Sequence, residues 1–139
     1  MWHTIKTLDD IKHLEDCFDG FHDSCIKELK YISGAYVLED LSMHPINDKR
    51  ILNIVFQRQA TNPTSIEMEF IGLLHLDLHP TVELFTCEIL AATLEITNQG
   101  IIWYDCEPLS NNRLQEYRGT KILSSAVNWR IVDECTGKK

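Results

Sequence analysis

The clearest pattern in the chain is a long alternation of apolar and polar residues between Ser65 and Pro80. One parity is apolar almost throughout, with Ile66, Met68, Phe70, Gly72, Leu74, Leu76 and Leu78. The other parity is mostly polar and contains Glu67, Glu69, His75, Asp77 and His79, with Ile71 and Leu73 as interruptions. A period of two over this length predicts a long β-strand with one apolar and one polar face. The interruptions make the middle apolar on both faces, which predicts that it is covered on both sides.

Several other segments have the period of two or the composition that strands favour. They are Tyr36–Met43, Ile51–Arg58, Cys87–Thr97, Ile101–Tyr104 and Lys121–Val132. The segment from Ser24 to Ser33 fits both a strand and a helix; a strand is preferred, and the helix stays open. Short turns such as Thr97–Gly100 join neighbouring segments, so the predicted sheet of about six or seven strands is mainly antiparallel.

One helix is predicted, from Leu8 to Phe18. It carries an apolar stripe at helical spacing, formed by Leu8, Ile11, Leu14 and Phe18. Thr7 can cap its first turn, where the helix dipole also favours the negative charge of Asp10. The stripe indicates that the helix packs on the sheet. The predicted fold is therefore a single α+β domain over residues 1–139, with a mainly antiparallel sheet and one N-terminal amphipathic helix.

The composition restricts location and partners. The formal net charge is -8, which argues against a nucleic-acid binder because phosphate recognition needs clustered lysine and arginine. No apolar run approaches the ~20 residues that cross a bilayer, and the N-terminus lacks the apolar segment of a signal peptide. The five cysteines form no C-x-x-C pair, a usage typical of reduced thiols inside cells. We therefore expect a soluble cytoplasmic protein that binds neither nucleic acid nor a membrane.

The long predicted strand raises the question of a metal centre, because His75, Asp77 and His79 share one face. Same-face residues repeat every ~6.6–6.8 Å along a strand, so His75 and His79 are ~13 Å apart, and the three residues cannot bind one ion without a bulge. At most two neighbours could do so, with a ligand such as His44 or His22 from elsewhere in the chain. The chain also lacks the Walker A, dinucleotide-binding and nucleophile-elbow motifs. We expect no metal, no cofactor and no catalytic residue.

Two groups of residues remain as candidates for other roles. Phe21, His22 and Asp23 follow the predicted helix and indicate a hydrogen-bonded structural corner before the first strand. Contact with a partner protein is predicted for charged side chains of the long strand, together with tryptophans of the kind that anchor interfaces. These candidates are Glu67, Glu69, Asp77, His75, His79, Trp103 and Trp129.

Two stretches resemble a family of small, mostly uncharacterised bacterial proteins. The stretches are Phe21-His22-Asp23-Ser24-x-Ile26 and Ile66-x-Met68-x-Phe70-x-Gly72-x-x-His75-Leu76-x-Leu78. Proteins of that family open near an FHD-[AS]-x-[IV] corner, and some are catalogued as immunity proteins of polymorphic toxin systems. The resemblance implies a β-rich domain that binds a toxin without catalysis, and it supplies no catalytic residues.

Three functions are competing hypotheses at this point. The first is a non-enzymatic protein-binding domain, an immunity-type inhibitor whose acidic charge attracts a basic protein toxin. The second is a small metal-dependent or hydrolytic enzyme that uses the face with His75, Asp77 and His79. The third is a structural subunit that forms a homodimer through its sheet. An acidic patch beside exposed aromatic residues would favour the first, a closed His/Asp cluster the second, and an apolar outer sheet face the third.

Overall fold

The computed structural model describes residues 1–132. Its elements are β1 (His3–Thr4), α1 (Leu8–Phe18), β2 (Ser24–Ile32), β3 (Tyr36–Val37), β4 (Met43–His44), β5 (Ile51–Arg58), β6 (Ser65–Asp77), β7 (Thr93–Thr97), β8 (Gly100–Tyr104), α2 (Asn111–Glu116) and β9 (Lys121–Ile131). A short 3-10 turn, Asp19–Phe21, follows α1. The ambiguous segment after it is therefore a strand, β2.

Seven strands form one antiparallel sheet in the order β2-β5-β6-β9-β8-β7, with β1 paired to β9. The longest pairing joins β6 to β9. On its other side, β9 pairs with β8 near its start and with β1 near its end. β3 and β4 form a separate hairpin. The predicted α+β fold, a mainly antiparallel sheet with one N-terminal helix, is confirmed.

The two edges of this sheet approach each other through the segment before β7. Ile89 forms an antiparallel bridge with Ser24, the first residue of β2. The N–H of Ile89 donates to the carbonyl of Ser24 at 2.7 Å, and the N–H of Asp23 donates to the carbonyl of Ile89 at 2.9 Å. The bridge therefore links β2, one edge strand of the sheet, to the segment that leads into β7, the other edge strand.

Helix α1 has the predicted bounds and a complete capping box. The side chain of Thr7 accepts a hydrogen bond from the N–H of Asp10, whose carboxylate accepts from the N–H of Thr7. Three residues of its predicted apolar stripe are buried: Ile11, Leu14 and Phe18. Leu8 is different, because its side chain is 78% exposed. It is the first helical residue, and the buried side of the helix begins one turn later.

The apolar parity of β6 changes at Gly72. Before this residue the even positions are buried, at Ile66, Met68 and Phe70; after it, Leu73 packs against the core. Gly72 has a φ of +66°, and a Cβ at this position would lie 3.0 Å from the Cβ of Ser125 on β9. A glycine suits this left-handed conformation and the close approach of the two strands. The prediction of one apolar parity through Leu78 is therefore wrong at Leu74 and Leu78, which are exposed, whereas Leu76 on the same parity packs against the core.

The partner strand β9 changes parity at the same place. Its buried residues are Ile122 and Ser124 on one parity and Val127 and Trp129 on the other. A bulge between Leu73 and His75 then leaves Leu74 exposed. Ile71 and Leu73, which predicted a middle covered on both faces, instead mark this change of parity.

Two differences from the predicted elements lie in the second half of the chain. The predicted strand Cys87–Thr97 is shorter, since only Thr93–Thr97 forms β7 and Leu90 is exposed. The helix α2 was not predicted; the hydroxyl of Ser110 caps it by accepting from the N–H of Arg113. Residues 78–92 consequently form a long connection that is tied to β2 through Ile89.

Candidate functional site

The predicted acidic residues Glu67 and Glu69 lie on β6 and are paired within the sheet. The carboxylate of Glu67 accepts hydrogen bonds from Nδ2 of Asn53 at 2.8 Å and Nε of Arg130 at 2.9 Å. Glu69 accepts from Nδ2 of Asn128 at 3.2 Å. The side chain of Glu67 is only 16% exposed. These carboxylates form a cross-strand polar network that stabilises the outer face of the sheet.

Trp2 extends this network to the N-terminus. The guanidinium of Arg130 stacks over its ring, 4.5 Å from the ring centroid, while it also pairs with Glu67. This cation–π contact, of a kind that arginine often makes, was not predicted, because Trp2 lies far from Arg130 in sequence. Trp2 is thus the tryptophan that stands beside acidic residues at the surface.

The other two tryptophans are in the core. Trp103 packs against Phe21 and Phe56, with ring centroids 5.7 and 5.3 Å apart. Trp129 is fully buried and stacks with His3 at 4.5 Å. Contact with a partner through Trp103 or Trp129 is therefore excluded by their burial.

His75 and Asp77 meet at the end of β6, while His79 lies beyond the strand. Nε2 of His75 is 2.9 Å from the carboxylate of Asp77, and Nζ of Lys121 is 3.9 Å from it. The hydrogen bond from His75 holds the pKa of Asp77 below its usual value. The N–H of His79 donates to the hydroxyl of Thr120. Within residues 1–132, no three His, Cys, Asp or Glu side chains are grouped so that they could hold a metal ion.

The cysteines of the described region are free thiols: Cys17, Cys25, Cys87 and Cys106. Burial raises the pKa of Cys17 and of Cys25 above the usual range. A raised pKa leaves less of the reactive thiolate at neutral pH, which argues against either residue as a nucleophile. Cys135 lies outside the described residues.

The Phe21–Asp23 corner connects α1 to β2 and anchors the long connection before β7. Phe21 and Asp23 have left-handed φ values of 69° and 59°. The hydroxyl of Ser24 donates to the carbonyl of Phe21 at 2.6 Å, and Nδ1 of His22 lies 3.0 Å from the carbonyl of Leu90. This contact is the main reason that the pKa of His22 is raised, and the nearby Asp23 adds to the effect. These contacts give the corner a structural role.

One feature that the sequence did not reveal is a hairpin with exposed apolar side chains. We call it the apolar hairpin; its exposed members are Tyr36, Val37, Leu38, Leu41, Met43 and Ile46. Leu41, at the turn between β3 and β4, is 83% exposed. Monomeric proteins seldom expose apolar residues in such a group unless the surface contacts something. The segment Tyr36–Met43 was predicted as one strand, but it is a hairpin of β3 and β4 with Leu41 in its turn, and a period does not tell which face is covered.

Hydrogen bonds and a ring contact hold the apolar hairpin in shape. The N–H of Leu38 donates to the carbonyl of Ser42 at 2.8 Å, and the hydroxyl of Ser42 donates to Asp40 at 2.6 Å. The rings of Tyr36 and His44 stack at 5.0 Å, and His44 pairs with Asp48 at 3.1 Å. The apolar side chains are therefore presented by a defined turn.

The tip of the apolar hairpin is acidic. Glu39 and Asp40 lie between Leu38 and Leu41 in the turn. Hydrogen bonds from the side chain and backbone of Ser42 lower the pKa of Asp40, so its carboxylate is ionised at neutral pH. Apolar side chains that flank two negative charges suit a surface with apolar contacts and basic groups.

Comparison with known proteins gives no family for this chain. No protein-family model matches it, and neither a curated protein nor a solved structure matches it. None of the helices in residues 1–132 is long and apolar enough to cross a membrane. The immunity-type resemblance therefore stays a hypothesis, and we infer the function from the surfaces of the chain itself.

Proposed function

We propose that this protein is a non-enzymatic protein-binding domain, an immunity-type inhibitor that binds a basic bacterial toxin in the cytoplasm. The observation that carries the proposal is the apolar hairpin with its acidic tip. The resemblance around Phe21–Ile26 supports the toxin as the class of partner. Because Glu67 and Glu69 are paired within the sheet, we assign the contact surface to the apolar hairpin instead of the long strand.

A different protein fits the apolar hairpin better than a second copy does. In a two-fold dimer the same patch meets itself, so the interface would bring two acidic tips, each with Glu39 and Asp40, close to one another. The formal net charge of -8 adds repulsion between whole molecules. A basic partner reverses both effects and is attracted by the same charges. The homodimer hypothesis is therefore less well supported.

Two kinds of side chain in the apolar hairpin affect different steps of binding. Apolar side chains that become buried in the complex, such as Leu41 and Met43, slow dissociation, because dissociation exposes them to water again. The carboxylates at the tip speed association by attracting basic groups over a distance. We expect affinity to depend mainly on the anchors and salt sensitivity mainly on the carboxylates.

The test is co-expression with the product of a neighbouring toxin-like gene. Cells should survive when the wild-type protein is present, and a stoichiometric complex should be purified. The double variant Leu41→Ser, Met43→Ser should lose protection and bind at least about tenfold more weakly, since two anchors are removed. The matched control is Leu8→Ser, which removes a similarly exposed leucine from α1. Thermal unfolding checks that both variants fold.

Two outcomes would overturn the proposal. The first is a folded double variant that protects cells as well as the wild type. The second is protection by catalytic amounts of protein or turnover of a small substrate, which would favour the enzyme hypothesis and direct attention to His75 and Asp77.

A further inference from the structure

We propose a second binding site, a groove beside β2 that takes an extended peptide segment with an apolar residue two positions from a lysine or arginine. It lies outside the apolar hairpin and does not depend on the function proposed above. The groove consists of two adjoining cavities of about 340 and 460 Å³. Both are lined by His79, Thr81, Cys87, Ile89 and Asp105, so they lie next to each other.

The first cavity is apolar. It lies between β2, which contributes Ile26 and Leu29, and the connection after β6, which contributes Leu78 and Pro80. Ile26 and Leu29 are only partly buried, although they pack against the core. A cavity of this kind favours an aliphatic side chain, because the ligand buries apolar surface on both walls.

The second cavity is acidic. Its lining residues include Glu88, Asp105 and Glu107, and the carboxylate of Asp105 also accepts a hydrogen bond from the hydroxyl of Tyr117. Among the described residues that line the two cavities there is no lysine or arginine. A hydrogen bond from the hydroxyl of Thr86 lowers the pKa of Glu88, which keeps this carboxylate ionised. The charge of this end therefore favours a cationic side chain.

The edge of β2 adds main-chain groups to the groove. On that edge, the Ile89 bridge pairs with Ser24, and within residues 1–132 no strand pairs with the rest of β2 there. An extended peptide can bond to such an edge while alternate side chains enter neighbouring pockets. Same-face side chains of a strand are ~6.6–6.8 Å apart, which suits an apolar and a cationic residue two positions apart in adjoining cavities.

The probe is a fluorescein-labelled peptide, Thr-Leu-Thr-Lys-Thr, with a blocked C-terminus. A second peptide has glutamate in place of lysine. Fluorescence polarisation with the wild-type protein should show saturable binding of the lysine peptide and at least tenfold weaker binding of the glutamate peptide. Amide chemical shifts should move at Ile26, Leu29, Thr81 and Ile89, and the apolar hairpin should be unaffected.

Variants separate this site from the hairpin. Glu88→Lys and Glu107→Lys are exposed changes that should each weaken the lysine peptide at least threefold and both together at least tenfold. Glu39→Lys is the control, because it makes the same charge change at the hairpin tip and should leave binding unchanged. Equal binding of the two peptides, shifts centred on the hairpin, or no saturation below about 5 mM peptide would each overturn the proposal.

Discussion

His22 shows at the residue scale how one side chain fixes the path of a long connection. Its ring nitrogen bonds to the carbonyl of Leu90, next to the Ile89 bridge that joins the sheet edges. This hydrogen bond raises the pKa of His22 above its usual value of 6.5. A histidine with a raised pKa in the folded state stabilises the protein fully below its unfolded pKa. That stabilisation is lost as the pH rises through the folded pKa.

The variant His22→Gln tests this linkage, because glutamine retains an N–H donor and does not titrate. The wild type should be more stable than the variant near pH 5.5, and the difference should shrink by about pH 8.5. Chemical denaturation of both proteins at several pH values measures it. A stability difference that is constant over this range would show that protonated His22 does not hold Leu90 more strongly than the neutral ring does.

Glu67 and Glu69 show why residue identity alone misplaces a contact surface. The sequence showed that they lie on a polar face, but the side chains that hydrogen-bond to Glu67 come from β5 and β9. Arg130 lies 63 residues away in the chain. On a single strand, charged residues follow the same sequence pattern whether their side chains are unpaired or are hydrogen-bonded to neighbouring strands.

Helix α1 allows a matched comparison at the element scale. Leu14 is fully buried, whereas Leu8 on the same predicted stripe is exposed. Leu14→Ala should destabilise the protein by ~2–5 kcal/mol, through the lost transfer energy and the cavity that is left. Leu8→Ala should change the stability by less than ~0.5 kcal/mol, as is usual for surface positions. Denaturant titration measures both, and similar losses for the two variants would mean that α1 docks differently.

Gly72 tests the change of parity in β6 and β9. Gly72→Ala forces a left-handed φ on alanine and places its Cβ 3.0 Å from Ser125. Gly20→Ala is the control, because Gly20 has a similar φ of +59° but open space around the added Cβ. We expect a loss of ~2–4 kcal/mol for Gly72→Ala and of ~1 kcal/mol for Gly20→Ala. Equal losses, measured by thermal or chemical unfolding, would show that the strands do not crowd at Ser125.

At the scale of the whole molecule, the position of the acidic hairpin tip predicts how fast a basic partner associates. Glu39→Lys should slow association with the proposed toxin severalfold at low salt, and about 0.5 M salt should remove the difference because it screens exposed charges. Asp16→Lys is the control, since it makes the same change on α1. Stopped-flow mixing measures both rates. If the two variants slowed association equally, net charge and not the hairpin tip would steer the partner.

Local patterns in the sequence were sufficient for α1, its N-cap at Thr7 and the strands β5 and β9. They were sufficient because a helix cap and a hydrophobic period involve residues that are close in the chain. They also predicted β6 to within a few residues, although its apolar parity changes at Gly72, where the strand meets Ser125 from another part of the chain.

Only the tertiary structure decided which apolar residues are covered. The residues next to Trp103 and Trp129 in the sequence do not distinguish them from exposed aromatic residues. Contacts with Phe21, Phe56 and His3 nevertheless bury them. The apolar hairpin has the pattern of a core strand and is exposed. The physical reason is that a period states which side chains share a face, whereas burial depends on what packs against that face, and those contacts come from distant parts of the chain.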